Sequence, residues 1–360
     1  MNVLVSGASI GGTVLAHWLR QRGIRVTLVE RAPGPRGGGQ AIDVRGAALT
    51  VARRMGILEE IRSLRTEMRG MSVMDGDGNE VMRSEESTYS GGRLDSPDVE
   101  IMRDDLTRIL LDSVEGAEIL WGDSIVSLDD DGSAVQVRFE KSAPRSFDFV
   151  VGADGLHSNT RGLVFGEEAR FIEHLGTYVG FFRTENFLGL DQWQVWHRDG
   201  AAGFGIYPAR GNAEIVVNLG FESGPIDYDY RDAEQQKRIL AGACAHLRWI
   251  TPKLLEALAA AGDFYFDSMS QIHLPEWSKG RVALVGDAAY CASPKSGQGT
   301  SLAMVGAYVL AEELAATGGP GRYQERMAGF VALNQALAKE NPAGPASDES
   351  VRRAADGITL

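Results

Sequence analysis

The first thirty residues alternate between apolar runs and a glycine-rich turn. Residues 3–5 form a short apolar run of the kind found in a buried parallel strand. A glycine-rich turn follows at residues 7–12, and apolar positions then recur with helical spacing over residues 14–19. A second apolar run, residues 26–29, ends at Glu30. The pattern predicts one βαβ unit at the start of the chain.

Two later apolar runs each lead into a turn that contains glycine and aspartate. Residues 148–154 and residues 281–287 both predict a further strand of the same parallel sheet. A helix is expected from near Gly299 to about Ala316, and another over residues 322–339. One dinucleotide-binding domain is therefore assembled from segments that are far apart in the chain.

Between these segments the pattern changes to short β-type runs separated by turn residues. Such runs occupy residues 178–184, 193–197, 203–208 and 213–221, with a turn at 198–200. They predict an antiparallel sheet inserted into the α/β domain.

The expected fold class is α/β, a Rossmann-like dinucleotide-binding domain with an inserted antiparallel β-sheet substrate domain and a C-terminal helix. The dinucleotide-binding domain is expected to be discontinuous. The expected boundaries are 1–70, 95–168 and 276–318 for this domain, 71–94 and 169–275 for the substrate-binding sheet, 319–340 for the C-terminal helix and 341–360 for a loose tail.

The composition fits a folded globular protein. The 360 residues are 44% hydrophobic and 24% charged, which leaves room for about two domains. A formal net charge of −13 argues against a nucleic-acid partner. Cys244 and Cys291 are too few for a disulfide framework, the histidines lack metal-ligand spacing, and no apolar run is long enough to span a membrane. We expect a cytoplasmic protein without a metal, as a monomer or small homo-oligomer.

The turn at residues 7–12 nearly fits the dinucleotide-binding fingerprint. Gly7 permits the tight turn, and Gly12 lets the helix pack close to the strand. Ser9 takes the place of the middle glycine, and a small hydroxyl residue can itself donate to a phosphate. Glu30 ends the second strand, where a carboxylate accepts hydrogen bonds from ribose hydroxyls. The alternative is an ordinary glycine-rich βα turn.

Two further motifs favour FAD over NAD. Residues 154–161 fit the pattern Asp-Gly-x-x-Ser-x-x-Arg, and residues 286–289, followed by Pro294 and residues 297–299, fit a Gly-Asp motif that binds the ribityl and pyrophosphate groups. With the fingerprint, these motifs resemble the class A FAD-dependent monooxygenases, the para-hydroxybenzoate hydroxylase family. Residues 38–44, 93–97 and 103–106 are similar to the tetracycline-inactivating branch of that family.

The resemblance implies a set of cofactor-binding residues. They are Gly7, Ser9, Ile10, Gly11, Gly12, Glu30, Arg31, Asp43, Arg103, Asp154, Asp287, Gly297 and Gly299. Two of these have alternative roles: Arg103 as a surface ion pair with Asp104 or Asp105, and Asp154 as a residue that only holds its turn. Arg36 corresponds to a basic residue implicated in NAD(P)H binding, and the absence of a second fingerprint leaves NADPH and NADH both open.

The inserted sheet supplies the candidate substrate pocket. Alternation along the strands sends about half of its aromatic residues to one face, which would cover the flavin. We predict that Phe181, Phe204 and Pro294 line this pocket and that Arg183 and Gln192 orient a polar substrate.

The resemblance implies an FAD-dependent, NAD(P)H-consuming monooxygenase. Such an enzyme uses molecular oxygen to hydroxylate an aromatic, polycyclic or enol-bearing small molecule through a flavin hydroperoxide, for instance tetracycline or another aromatic polyketide. Because the cofactor carries the chemistry, no catalytic side chain is predicted. The alternatives are a flavin-dependent reductase or dehydrogenase that does not use oxygen, and a non-catalytic flavoprotein that binds a small molecule.

Overall fold

A computed structural model describes residues 1–35, 37–341 and 344–360 of the chain. Its strands, in chain order, are β1 (Asn2–Ser6), β2 (Arg25–Glu30), β3 (Ala41–Val44), β4 (Gly70–Met74), β5 (Glu80–Ser84), β6 (Ser87–Thr88), β7 (Gly92–Arg93), β8 (Val99–Met102), β9 (Glu118–Trp121), β10 (Ile125–Asp130), β11 (Val135–Phe139), β12 (Arg145–Phe147), β13 (Phe149–Gly152), β14 (Ile172–Glu185), β15 (Trp193–Asp199), β16 (Ala202–Ala209), β17 (Glu214–Glu222), β18 (Phe264–Ile272), β19 (Ser278–Lys279) and β20 (Val282–Leu284).

The helices occur mainly in the first hundred residues and after residue 230. In chain order they are α1 (Ile10–Gln21), α2 (Ala47–Arg54), α3 (Leu58–Ser63), α4 (Arg103–Asp112), α5 (Asn159–Phe165), α6 (Ala233–Cys244), α7 (Thr251–Ala260), α8 (Asp287–Tyr290), α9 (Gly299–Thr317), α10 (Tyr323–Glu340) and α11 (Asp348–Ala355). Two short 3₁₀ helices cover Glu168–Arg170 and Pro294–Ser296. The helices expected near residues 299–316 and 322–339 are confirmed by α9 and α10.

The first layer is a sheet with the strand order β19-β20-β13-β1-β2-β9, parallel except for β19. Successive side chains of its central strands pack into two different hydrophobic cores, one on each face of the sheet. Val3 and Val5 pack with α1 and α9, whereas Leu4 and Val150 pack against the small sheet β10-β11-β12. Because both faces are covered, the central strands are apolar throughout, which is why they read as continuous runs in the sequence. We call this layer and its covering elements the flavin domain.

The second layer is a sheet with the strand order β18-β14-β17-β16-β15-β4-β5. It is antiparallel as expected, except that β4 pairs in parallel with β15. Its two faces have different partners. Tyr178, Phe182 and Phe204 belong to the core beneath α6 and α7, whereas Val179 and Phe181 pack toward β8 of the flavin domain. The sheet therefore carries helices on one face and turns the other toward the flavin domain.

The expectation of a loose tail over residues 341–360 is wrong for its second half. Ser347 caps α11 by accepting a hydrogen bond from the Ser350 amide, and Ala354 and Ala355 are buried. The amide of Asn334 on α10 donates to the Ala354 carbonyl at 3.1 Å. The capped helix α11 therefore packs on α10 through these two buried alanines, although the sequence of α11 is mostly polar. None of the helices in the described ranges is long and apolar enough to cross a membrane.

Candidate active site

The fingerprint glycines allow three backbone segments to meet. Gly7 has φ +106°, and a Cβ atom there would stand 2.4 Å from the Ala153 carbonyl oxygen. A Cβ atom on Gly12 would stand 1.9 Å from the Gly7 carbonyl oxygen. Any side chain at either position would separate α1 from the ends of β1 and β13. The sequence expectation for these two glycines, a tight turn and close helix packing, agrees with this geometry.

The N-terminus of α1 is open to a ligand. Ser9 is the N-cap residue, but its side chain makes no capping hydrogen bond. The first amide to bond back along the chain is that of Thr13, which donates to the Ser9 carbonyl at 2.9 Å. The amides of Ile10, Gly11 and the next residue therefore lack intrahelical partners. Together with the helix dipole, they favour an anionic group such as a diphosphate.

Glu30 lies beside this turn. One carboxylate oxygen accepts a hydrogen bond from the Ala8 amide at 3.0 Å, and the other accepts one from the Ala32 amide at 2.8 Å. These two bonds fix the carboxylate beside the turn, and a carboxylate oxygen can accept more than one hydrogen bond. Arg31 is exposed and lines, with residues 32–35, an open cavity of about 600 Å³. Arg36 lies outside the described residues.

Asp43 on β3 forms a buried ion pair with Arg45, which follows the end of that strand. The Asp43 Oδ2 and Arg45 Nη2 atoms are 2.9 Å apart, while Asp43 Oδ1 and Arg45 Nε have no partner within the described residues. Burial raises the pKa of Asp43 to about 7, although the neighbouring guanidinium opposes this rise. Sequence reasoning missed Arg45. Arg45 stands two residues after Asp43, the spacing at which side chains of an extended chain share one side, and this spacing was an available signal.

The Gly-Asp turn brings a carboxylate to the N-terminus of α9. Asp287 is half-buried, and burial raises its pKa, whereas Cys291 and Arg103 lower it. Gly297 is left-handed, with φ +64°, and Gly299 begins the helix. Between them lies Gln298, which is fully buried and whose side-chain nitrogen and oxygen both lack a partner within the described residues. Sequence reasoning missed Gln298, although it stands between two glycines already singled out.

These residues fit FAD. A buried polar atom without a partner costs about 1–3 kcal/mol, so native proteins satisfy nearly all of them. Unpartnered atoms on Asp43, Arg45 and Gln298 therefore indicate a polar ligand along β3 and the start of α9. The open N-terminus of α1 supplies a diphosphate site, and Glu30 supplies an acceptor beside it. An adenine dinucleotide with a polar ring system meets all of these demands.

Arg103 begins α4, and among the described residues it shows no ion pair with Asp104 or Asp105, the alternative considered for it. Asp104 pairs instead with Arg183 at 3.3 Å, and Asp105 pairs with Arg210 at 2.9 Å. The Arg103 side chain lies against Gly39, and its charge lowers the pKa of the Asp287 carboxyl across the site. Contact of Arg103 with the cofactor therefore stays a prediction.

Asp154 holds its own turn, as the alternative reading of that residue proposed. Its carboxylate accepts hydrogen bonds from the Ser158 hydroxyl and from the Thr160 amide at 2.9 Å. Arg161, at the end of the same motif, is fully buried and donates to the Ala288 carbonyl at 3.0 Å. The motif therefore braces the Gly-Asp turn from behind, and direct contact of Asp154 with the cofactor stays a prediction.

The pocket residues expected on the inserted sheet do not all reach one cavity. Phe181 lies on the face toward the flavin domain. Phe204 does not: it lies beneath α6 and α7, with its ring 6.0 Å from that of Trp249. Alternation along β16 is the reason, because Phe204 and Tyr207 stand on opposite faces. Phe204 is therefore removed from the candidate pocket.

The two polar pocket candidates are already engaged. Arg183 donates to the Gly39 carbonyl at 3.0 Å in addition to its pair with Asp104, so it fixes the sheet to the flavin domain. Gln192 donates to Glu67 at 3.1 Å in the loop before β15. Pro294 begins the 3₁₀ turn that leads to α9. The Arg183 Nε atom is buried without a partner within the described residues, so this side chain keeps one donor for a ligand. The role of Arg183 and Gln192 in orienting a substrate stays a prediction.

Tyr290 and Cys291 follow the Gly-Asp motif but point into the protein. The Tyr290 hydroxyl lies 2.7 Å from that of Tyr323 on α10. Cys291 is buried, and its thiol donates to the Ser270 carbonyl at 3.5 Å. Burial raises the pKa of the Cys291 thiol well above its usual range, so it stays protonated. Both residues therefore pack in the protein interior behind the Gly-Asp turn.

His157 joins the flavin domain to the inserted sheet. Its Nδ1 lies 2.7 Å from Glu168, and its Nε2 lies 3.2 Å from Asp267 on β18. Its ring stacks on Tyr230 with centroids 5.3 Å apart. Burial by itself would lower the pKa of His157, but the two carboxylates outweigh it and raise the pKa to about 10. Sequence reasoning missed this contact, because its members are 110 residues apart.

This histidine predicts a pH-dependent stability. Its pKa in the folded protein exceeds the usual value of 6.5, so the protonated ring stabilises the fold below pH 6.5, and this stabilisation is lost as the pH rises toward about 10. We expect His157→Gln to be less stable than the wild type by about 2 kcal/mol at pH 6.5. This loss is smaller than the loss expected on breaking a fully buried ion pair. Thermal unfolding followed across this pH range should show the two proteins converging.

The matched control is His246→Gln, which changes an exposed histidine on the same sheet domain. It should follow the wild type at every pH. Parallel stability curves for wild type and His157→Gln would show that the ring is not held as a cation.

Comparison with known proteins agrees with this geometry. Residues 1–322 match the family model described as FAD binding domain. An uncharacterised protein of Mycobacterium tuberculosis (strain ATCC 25618 / H37Rv) is 50% identical over 366 residues, covering 99% of this chain and 98% of that protein. A flavin-dependent monooxygenase of Legionella longbeachae serogroup 1 (strain NSW150) is 36% identical over 341 residues, covering 93% of this chain and 87% of that protein. The crystal structure of tetracycline destructase Tet(51) superposes with a TM-score of 0.91 at 32% identity, covering 100% of this chain and 98% of that one.

Proposed function

Because the chain belongs to the FAD binding domain family and is an FAD-dependent monooxygenase, we propose that it hydroxylates an aromatic, polycyclic or enol-bearing small molecule with NADPH or NADH as electron donor. The observation that carries this proposal is the set of unpartnered buried atoms on Asp43, Arg45 and Gln298. The strand that carries Asp43 contacts the inserted sheet through the Ala41 amide and the Tyr207 hydroxyl, so we place the flavin where it faces a substrate held on the sheet.

The chain contributes binding and orientation. We assign the diphosphate to the open N-terminus of α1 and the adenosine ribose to Glu30. Asp287 accepts from the ribityl hydroxyls, and Arg103 binds a phosphate oxygen as a charged donor. These assignments use each group according to its chemistry: amides and a guanidinium for anionic oxygens, and carboxylates for hydroxyls.

The start of α9 supports the redox step. FAD, when bound, takes two electrons from a reduced nicotinamide and activates molecular oxygen for transfer of one atom to the substrate. The N-terminal end of α9, reached past Gly297 and Gly299, favours the negative charge that a reduced flavin carries. The buried guanidinium of Arg45 adds positive charge on the same side. Phe181, which is buried on the face of the sheet toward the flavin domain, limits access of water to this region.

We propose a tetracycline-like molecule or another aromatic polyketide as the substrate. The 32% identical structure named tetracycline destructase supports this substrate, and the flavin-dependent monooxygenase of Legionella longbeachae supports the oxygen transfer. These relatives favour oxygen transfer over a reductase that does not use oxygen and over a non-catalytic flavoprotein.

The experiment is an isotope-labelled turnover assay. The FAD-loaded enzyme is incubated with NADPH or NADH, ¹⁸O₂ and a panel of planar phenols and enols that includes tetracycline. We expect at least one compound to gain one labelled oxygen atom per nicotinamide oxidised in the coupled reaction. Reduction of a compound without labelled oxygen would identify the reductase alternative. Binding without any turnover would identify the non-catalytic alternative.

A further inference from the structure

A second cavity lies at the end of the parallel sheet where its strands begin. It has a volume of about 470 Å³. Its lining includes the first residue of each of three neighbouring strands, Asn2 on β1, Arg25 on β2 and Glu118 on β9. Residues from the end of α1, from the segment before β9 and from β12 complete the lining. We call this space the strand-start cavity.

The strand-start cavity is separate from the residues assigned to FAD. The strand β2 runs from Arg25 in the cavity to Glu30 beside the turn at residues 7–12. Five residue steps along an extended strand cover about 16 Å. In open α/β sheets, dinucleotides bind at the carboxyl ends of the strands, which is where Glu30 lies. A ligand in this cavity would therefore not compete with the cofactor.

Positive charge exceeds negative charge in the lining, which holds Arg20, Arg25 and Arg145 but one carboxylate, Glu118. The two Glu118 oxygens accept from Arg145 Nη1 at 2.9 and 2.8 Å, and one of them also accepts from the Thr27 hydroxyl at 2.9 Å. The Arg145 bond, followed by the Thr27 bond, lowers the pKa of Glu118, so this carboxylate stays ionised and neutralises one guanidinium. The other two give the cavity a positive potential, although the chain has a formal net charge of −13.

Most of the guanidinium donors in the cavity are not used within the protein. Arg25 is exposed and forms no hydrogen bond or ion pair among the described residues. Arg145 bonds Glu118 through Nη1, and Arg20 donates through Nη1 to the Glu115 carbonyl at 3.0 Å. Because a guanidinium has five N–H donors, both side chains have further donors for a ligand.

The buried part of the lining is apolar. Ile24, Val26 and Phe147 are each 9% exposed or less. Ile24 and Val26 belong to the core that contains α1, whereas Phe147 belongs to the core beneath the small sheet β10-β11-β12. Because these side chains are fixed by two cores, they form a rigid apolar surface next to the arginines. Small-molecule sites combine such a surface with a few polar groups that orient the ligand.

We propose that the strand-start cavity binds an organic anion, a small molecule that carries a carboxylate or phosphate group on an apolar body. Arg25 and Arg145 bind the anionic group through charge-assisted hydrogen bonds, and Val26 and Phe147 contact the body. The cavity volume lies within the range of about 300–1,000 Å³ that is typical of small-molecule sites. This site does not depend on flavin chemistry, so the proposal stands or falls separately from the proposed function.

The test is equilibrium dialysis of the FAD-loaded protein against four probes: 1-naphthyl phosphate, 1-naphthoate, the neutral 1-naphthamide and inorganic phosphate. We expect saturable binding of at least one naphthyl anion, at one site per chain, and weaker binding as the salt concentration rises. Naphthamide lacks the charge and inorganic phosphate lacks the apolar body, so each should bind at least about tenfold more weakly than the better anion. The two naphthyl anions together show whether the site prefers phosphate or carboxylate.

Three variants change the cavity. Arg25→Gln should weaken binding of the better anion about fivefold, the upper range for an exposed ion pair. Arg145→Gln should weaken it about tenfold, because Glu118 also loses its partner and repels the ligand. Ser146→Asp retains all three arginines, adds a carboxylate at an exposed position of the lining and should also weaken binding.

The matched control is Arg238→Gln on α6 of the inserted sheet domain. Arg238 is exposed and has no bonded partner in the part of the chain that the structure describes. This variant changes the net charge by the same amount as Arg25→Gln, and it should bind the anion like the wild type. All four variants should retain the wild-type FAD content, because the cavity lies at the far end of β2 from Glu30.

Four results overturn the proposal. They are the absence of saturable binding of either naphthyl anion below about 1 mM, equal affinity for naphthoate and naphthamide, wild-type affinity in both arginine variants, and an equal loss of affinity in Arg238→Gln and Arg25→Gln. If Arg145→Gln does not fold, Arg25→Gln and Ser146→Asp decide the outcome, and wild-type affinity in both of them overturns the proposal.

Discussion

Asp287→Ala is expected to bind FAD at least about tenfold more weakly than the wild type, since a hydrogen bond to a charged group contributes about 1.5–3 kcal/mol. The reason is its position at the start of α8, beside Gly299 and close to the N-terminus of α9. The carboxylate has no basic side chain in direct contact within the described residues, so hydroxyl groups of the cofactor are its natural partners. FAD per chain after purification, and the affinity of the apoprotein for added FAD, measure the effect.

Two variants make this result specific. Asp287→Asn keeps one acceptor oxygen and should fall between the wild type and Asp287→Ala. Asp129→Ala changes an exposed carboxylate on β10, far from the site in the fold, and should retain the wild-type FAD content. Full flavin occupancy in Asp287→Ala would contradict the role we assign to this residue.

Gly12→Ala is expected to destabilise the folded protein by about 3 kcal/mol or more, since overpacking against backbone cannot be relieved by a rotamer change. The added methyl group would stand 1.9 Å from the Gly7 carbonyl oxygen. Relief requires α1 to move away from β1, which also opens the turn that receives the diphosphate. Chemical denaturation of the apoprotein measures the loss of stability, and FAD titration measures the loss of affinity.

The matched control is Gly329→Ala, in the exposed middle of α10, where a Cβ atom meets nothing within 4 Å. Because alanine favours helix more than glycine does, this variant should be unchanged or more stable by up to about 1 kcal/mol. A Gly12→Ala protein with wild-type stability would show that the close approach of α1 to the turn is not required.

The sequence predicted those parts of the fold that are encoded locally. The βαβ unit, the Gly-Asp turn and the long helix α9 each have a pattern that is complete within about thirty residues. The family resemblance drawn from these motifs is confirmed by the family match and by the relatives. The residue roles carried over with it remain predictions.

The features that sequence reasoning missed depend on packing between distant segments. Alternation along β16 separates Phe204 from Tyr207 but does not say which face meets the flavin domain. The contact between His157 and Asp267 joins residues 110 positions apart. The helix α11 is short and polar, and it is fixed by its cap and by α10 rather than by an apolar stripe of its own. Each of these features is set by packing between segments that are distant in the chain.

The central claim is that this site holds an FAD that a reduced nicotinamide can reduce and that oxygen can reoxidise. The most direct test is the visible spectrum of the purified protein, recorded again after NADPH or NADH is added without air, and once more after air is admitted. We predict a flavin spectrum that bleaches with the nicotinamide and returns in air with release of hydrogen peroxide. A protein that stays colourless after incubation with FAD, or whose flavin neither nicotinamide reduces, would contradict the claim.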